Sequence, residues 1–127
     1  MTRDLGVHGN LFGGNMLSWI DEAAGLQAAK ICRTPSMVTL KMEEVIFKRP
    51  VKVGFIINIY GKITRMGNSS LTLFMEARKH NVRTAEETLV CSTSIVFVRI
   101  DKSGNPRPID ANIKAKYNHL SIKNKKD

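Results

Sequence analysis

The stretch HGNLFGGNMLSWIDEAAG, from His8 to Gly25, decides the expected architecture. Two glycines, Gly13 and Gly14, come directly before an apolar periodicity that is typical of an amphipathic helix. The helix is expected to end near Cys32, because the residue before a proline, Thr34, is biased away from helical backbone. The sequence therefore predicts one long helix of about five turns near the start of the chain.

The predicted helix has one apolar stripe and many small side chains. At about 100° per residue the stripe places Asp21 at its rim, whereas Ser18 and Glu22 point away. Alanines and a glycine on this helix would let it lie close against a sheet. The residues of the stripe, of which only Gln27 is polar, are Met16, Leu17, Ile20, Ala24, Gln27, Ala28 and Ile31.

After the helix the apolar period changes from 3.6 to 2, which predicts strands. The pattern slips at Glu43-Glu44, as a β-bulge would cause, and Met66-Gly67-Asn68 reads as a turn. One helix followed by four strands predicts an α+β fold with an antiparallel sheet, and its open edges favour dimerisation through an edge strand. The expected strands begin near residues 38, 53, 71 and 89, with a hairpin at 80–87 and a turn-rich exit at 101–108.

Length, composition and cysteine usage narrow the class of protein. A chain of 127 residues with 43% hydrophobic and 24% charged residues is expected to form one globular domain. Cys32 and Cys91 lie far apart in patterned segments, so both are expected to be buried free thiols in a reducing compartment. No signal peptide or membrane-spanning run is recognised, and the predicted location is the cytoplasm.

The net charge of +9 leaves a nucleic-acid-binding domain open as an alternative. Against it, aromatic residues make up only 6%, and no strand alternates aromatics with arginines as a base-stacking surface would. Part of the charge lies in a C-terminal tail that is expected to be solvated and frayed. A basic surface would also suit a small polyanionic ligand. The tail lysines are Lys114, Lys116, Lys123, Lys125 and Lys126.

The start of the predicted helix combines groups that can hydrolyse an activated acyl compound. Unpaired N–H groups near Gly13 and Gly14 suit an oxygen that becomes negative, and Asp21 can activate water. Each residue also has a simpler interpretation. Asp21 can be a solvated carboxylate or a lysine's partner, and Asn10 a turn or cap residue. The glycines can serve close packing, and His8 can be purely structural.

Four segments together closely resemble the hotdog-fold acyl-CoA thioesterases, most closely their cytosolic acyl-CoA hydrolase branch. They are GNLFGGNMLSWIDEAAG, MVTLKMEEVIFKRPVKVG, MGNSSLTLFMEA and VFVRIDKSGNPRP. The resemblance implies a hotdog fold, a long central helix packed on a curved antiparallel sheet. It also implies a double-hotdog dimer, commonly a trimer of dimers, with active sites at the dimer interface. Residues 1–108 would form the thioesterase domain and residues 109–127 a basic C-terminal tail.

The resemblance assigns roles residue by residue. Asp21 would be a general base or, less favourably, a nucleophile, facing Asn10 of the partner subunit, and the Gly13 and Gly14 N–H groups would bind the oxyanion. The chain departs from the family pattern at Phe55 and Asn68, where an acidic and a basic residue are common. No metal or other cofactor is implied, since CoA belongs to the substrate. The residues matching CoA-contacting positions are Arg49, Lys52, Gly67, Ser69 and Ser70.

The leading functional hypothesis is therefore an acyl-CoA thioesterase that acts as a homodimer or hexamer, with no nucleic-acid or membrane partner. The alternative is a non-catalytic acyl-CoA-binding sensor that uses the same pocket. The departures at Phe55 and Asn68 favour the sensor, and the intact pair of Asn10 and Asp21 favours the enzyme.

Overall fold

A 20-residue helix lies across one face of an antiparallel sheet in the computed structural model, which describes residues 13–49 and 56–120. The predicted helix and all predicted strands within these ranges are confirmed. Among the described residues, no helix is both long and apolar enough to cross a membrane. The elements are α1 (Gly13–Cys32), β1 (Met37–Phe47), β2 (Ile56–Met66), β3 (Ser70–His80), β4 (Glu87–Arg99) and α2 (Ala111–Lys116).

The C-terminus of α1 is closed by a Schellman motif. The Thr34 N–H donates to the Ala29 carbonyl at 3.2 Å, and Arg33 between them has a left-handed backbone with φ of 55°. Glycine is the usual residue at this position, because a side chain there costs about 1 kcal/mol. The motif reverses the chain ahead of Pro35 and directs it into β1.

The four strands of the described sheet lie in the order β1-β4-β3-β2, and every neighbouring pair is antiparallel. Alternate residues of β3 and β4 face α1 and form the centre of the core with the apolar stripe of the helix. The period of two that begins at Leu71 and at Leu89 predicts the inner face of these strands, and it is confirmed except that Leu89 is only half-buried. The buried residues of the predicted set are Leu71, Leu73, Met75, Ala77, Cys91, Thr93, Ile95 and Phe97.

The predicted bulge in β1 is confirmed, and a second irregularity lies closer to α1. The β1–β4 register shifts between Glu43 and Ile46, where Glu44 has a φ of 47°. It also shifts between Thr39 and Lys41, so Leu40 is the extra residue there. Bulges bend a strand and re-aim its side chains. The two bulges therefore set which β1 side chains face the helix.

α1 contacts β2 at Gly61. The Gln27 side chain donates from Nε2 to the Gly61 carbonyl at 3.1 Å, which explains why one polar residue interrupts the apolar stripe. A Cβ atom at position 61 would collide with Gln27 Oε1 and with the Met75 sulfur. The missing side chain at Gly61 thus makes room for the helix.

Residues 109–120 differ from the frayed terminus that the lysines predict, whereas Lys123, Lys125 and Lys126 lie outside the described residues. Ile109 and Ile113 are buried in the main core, and Asp110 caps α2 by accepting from the Asn112 N–H at 2.8 Å. Two isoleucines spaced four residues apart anchor one face of a short helix, and the lysines lie around them. The segment is therefore anchored to the core through Ile109, Ile113 and Tyr117. The domain boundary at residue 108 remains a prediction.

Replacing Gly61 with alanine is expected to lower the free energy of unfolding by about 1 kcal/mol, because the new methyl displaces the flexible ends of Gln27 and Met75 and disturbs the Gln27 hydrogen bond. Thermal and denaturant unfolding measure the change. Gly25→Ala is the matched control. Its Cβ would lie 3.9 Å from Phe97, and alanine is favoured in a helix by up to about 1 kcal/mol. Equal stability changes in the two variants would contradict the close approach at Gly61.

Candidate functional site

Asp21 lies where the sequence places it, at the rim of the buried face of α1. Its side chain is half-buried, whereas Ser18 and Glu22 are exposed. Its Oδ1 accepts a hydrogen bond from the Thr39 hydroxyl at 2.8 Å. This bond, at the solvent-exposed margin of the sheet, holds the Asp21 carboxylate against β1, and its catalytic role remains a prediction.

Thr39 is a member of the site that sequence reasoning missed. It pairs with Phe97 of β4, whose buried side chain faces α1, so Thr39 faces the helix as well. The bulge at Leu40 follows directly. The only sequence signal for this contact is a threonine at an inward position of β1, and nothing in the period shows which helix residue it meets.

The helix start supplies the candidate oxyanion donors. Gly13 and Gly14 are the first two residues of α1, and the first four N–H groups of a helix have no partner within the helix. About two helical turns, roughly 12 Å, separate Gly13 from Asp21 along the axis. Within one protomer, the N–H groups of Gly13 and Gly14 therefore lie far from the Asp21 carboxylate. Asn10 and Lys52 lie outside the described residues.

The predicted CoA-contacting residues fall into two separate places within one protomer. Arg49 follows the end of β1 where Phe47 pairs with Cys91, whereas Ser70 begins β3 opposite Val98. Cys91 and Val98 are seven positions apart on β4, a distance of roughly 23 Å. Arg49 and the turn at Gly67–Ser70 are therefore at opposite ends of the sheet and do not form one patch within a protomer.

The turn at Gly67–Ser70 is held by the C-terminal segment. The Ile109 N–H donates to the Asn68 carbonyl at 2.8 Å, and the Arg99 N–H donates to the Ser69 carbonyl at 2.8 Å. The Lys114 ammonium donates to Asn68 Oδ1 at 2.7 Å. Lys114 of α2 thus contacts Asn68, the position at which the family pattern commonly has a basic residue.

A second polar cluster lies on the sheet face away from α1. The Glu87 carboxylate accepts from the Asn58 amide at 2.6 Å and from the Tyr60 hydroxyl at 2.8 and 2.9 Å. It also lies 3.4 Å from His80 Nδ1. The Asn58 and Tyr60 donors lower the pKa of Glu87, and the same bond to Glu87 raises the pKa of Tyr60. The cluster ties β2 to β4 across β3.

The cysteines and the metal-ligating residue types in the described part of the chain offer little further chemistry. Cys32 and Cys91 are free and buried as predicted, and burial raises the pKa of both thiols, which makes them poor nucleophiles. Within residues 13–49 and 56–120, no three His, Cys, Asp or Glu side chains are grouped so as to hold a metal ion. The expectation that no cofactor is needed remains a prediction.

Comparison with known proteins decides the family. The thioesterase superfamily model matches residues 8–86, which is more than half of the chain. This chain belongs to the thioesterase superfamily. The sequence is 33% identical to an uncharacterized acyl-CoA thioester hydrolase of Bacillus subtilis over 84% of this chain, which spans 61% of that relative. It is 27% identical to an acyl-CoA thioester hydrolase of Salmonella typhimurium over 86% of this chain and 84% of the relative.

Solved structures confirm the predicted hotdog fold. A hexameric hotdog fold thioesterase of Campylobacter jejuni superposes with a TM-score of 0.78 at 32% identity, covering 93% of this chain and 90% of that one. A hexameric thioesterase of Yersinia pestis superposes with a TM-score of 0.82 at 26% identity, covering 87% and 90%. The resemblance inferred from the four sequence segments is thus confirmed for family and fold.

Proposed function

We propose that this protein hydrolyses acyl-CoA thioesters to a free carboxylic acid and CoA. The observation that carries the proposal is the position of the half-buried Asp21 carboxylate at the rim of the buried face of α1. Its Oδ1 accepts a hydrogen bond from the Thr39 hydroxyl at 2.8 Å. The family supports the same reaction, since relatives from two bacteria are named acyl-CoA thioester hydrolases.

Asp21 acts as a general base on water in this proposal. Thr39 engages Oδ1, and Oδ2 can accept the proton of a water molecule, because an ionised carboxylate has several acceptor sites. The activated water attacks the thioester carbonyl, and the tetrahedral intermediate expels thiolate, which is a good leaving group. Direct attack by Asp21 to give an anhydride is the less favoured route.

The developing oxyanion is stabilised by N–H groups at the start of α1. One such donor is typically worth roughly 3 kcal/mol of barrier. Because about 12 Å of helix separates Gly13 from Asp21, the donors that meet a given Asp21 come from a second subunit. Asn10, just before the helix, would then orient the water or the thioester opposite the partner's Asp21.

An exposed apolar strand supports pairing of two subunits. β1 is an edge strand of the described sheet, and all its residues except Met37 and Met42 are exposed. Leu40 and Phe47 are 61% and 49% exposed. An open strand edge with apolar side chains is a template for another chain. We infer that β1, which also carries Thr39, lies at or beside the dimer interface.

The proposal extends to assembly beyond the dimer and to cellular location. The solved thioesterases of Campylobacter jejuni and Yersinia pestis are described as hexameric, which favours a trimer of dimers. The substrate partner is acyl-CoA, with no nucleic acid and no membrane, and the proposed location is the cytoplasm.

Asp21→Asn is expected to lower kcat for thioester hydrolysis by about 100-fold or more, because general-base catalysis contributes that much. Release of free thiol from short, medium and long acyl-CoAs measures this change in kcat and also the preference for acyl-chain length. Glu22→Gln, next on the helix but exposed, is the matched control with normal turnover. Undiminished activity in Asp21→Asn would remove the carboxylate from its role. Saturable acyl-CoA binding without turnover in the unaltered protein would favour the sensor.

Thr39→Val removes the hydroxyl and keeps the shape of the side chain. It is expected to lower kcat about tenfold with little change in KM, because Asp21 loses the bond that aims it at water. Thr39→Ser retains the hydroxyl and is expected to restore most of the rate. A serine variant as impaired as the valine variant would show that the methyl group and not the hydrogen bond matters.

A further inference from the structure

A small basic cavity lies between the C-terminus of α1, the end of β4 and α2. Its volume is about 210 Å³, and the residues that line it include three cations, Arg33, Arg99 and Lys116, but only one carboxylate, Asp110. It is far from the candidate catalytic group, since the helix from Asp21 to its end at Cys32 is about 16 Å long and Arg33 follows it.

The carboxylate of the cavity is already engaged. Asp110 accepts from the Asn112 N–H at 2.8 Å as the cap of α2. Among residues 13–49 and 56–120, no carboxylate lies within salt-bridge distance of Arg33, Arg99 or Lys116. Three cations that share one concave surface repel one another, and an anion between them relieves that repulsion.

Two of the three cations are positioned by the fold. Arg99 donates from Nη1 to the Pro108 carbonyl at 2.7 Å, which fixes its guanidinium and leaves further N–H donors for a ligand. Arg33 occupies a left-handed backbone position with φ of 55°, where glycine would be less strained. The Schellman motif at the end of α1 therefore sets the position of Arg33 at the rim of the cavity.

The size and donors of the cavity indicate the ligand. Pockets for drug-sized ligands are roughly 300–1,000 Å³, so this one suits a single phosphate group. Guanidinium groups match the oxygens of phosphate in pairs. We propose that this cavity binds a phosphate group through Arg33, Arg99 and Lys116. Which molecule carries the phosphate rests on the proposed function. It is the nucleotide end of acyl-CoA or a free nucleotide.

Calorimetric titration of the full-length protein in its native oligomeric state with inorganic phosphate, at constant ionic strength, tests the site without turnover. Saturable binding is expected, and the double variant Arg33→Gln/Lys116→Gln is expected to raise Kd about tenfold or more. Both side chains are exposed, so their loss leaves the core intact. Lys62→Gln/Arg83→Gln, two exposed cations that do not line the cavity, removes the same charge and is expected to keep normal binding.

Phosphate binding that is absent in the unaltered protein would overturn the proposal. Equal weakening in both double variants would also overturn it, because net charge alone would then explain the affinity. Inactivity of the enzyme towards every acyl-CoA, with phosphate binding retained, would defeat the proposed function and leave this site standing.

The two sources of phosphate are separated by kinetics and by competition. If the site holds the 3′-phosphate of CoA, the Arg33→Gln/Lys116→Gln variant raises KM for acyl-CoA but not for 3′-dephospho-acyl-CoA. If it holds a free nucleotide, both KM values are unchanged, and adenosine 3′,5′-bisphosphate still binds in the presence of saturating CoA. Either result supports the phosphate site and identifies its ligand.

Discussion

The close approach of α1 to the sheet is the constraint on which the rest of the structure depends. Ala24 and Ala28 on the helix are fully buried, and Gly61 on β2 lacks a side chain where the helix passes. The Gln27 side chain then bonds the sheet backbone directly. With the helix held this close, Asp21 lies within hydrogen-bond distance of Thr39, and the proposed chemistry follows from that contact.

Periodicity was sufficient to predict most of the fold. The apolar stripe and Pro35 gave α1 its bounds, and alternation in β3 and β4 gave the buried residues. The slip at Glu43-Glu44 gave the bulge in β1. What periodicity cannot give is how separate elements meet. Thr39 and Asp21 lie 18 residues apart on elements with different periods, and their bond depends on register and on the bulge at Leu40.

The remaining differences have similar physical causes. Ile109 and Ile113 are two isolated apolar residues, too few to produce a periodic signal, yet both are buried and hold α2 and the residues before it against the core. Arg49 and the Gly67–Ser70 turn match family positions individually, but strand register places them at opposite ends of the sheet. A CoA site that uses both needs two subunits, as does a catalytic site built from Asn10 and Asp21.

Subunit complementation measures that sharing most directly. Asn10→Ala and Asp21→Asn variants, each inactive alone, are mixed in equal amounts and allowed to exchange subunits. In a two-fold symmetric pair, half of the dimers are mixed and each has one intact site, so about one quarter of the normal thioesterase activity should return. Activity that stays at the level of the separate variants after demonstrated exchange would contradict an active site shared between subunits.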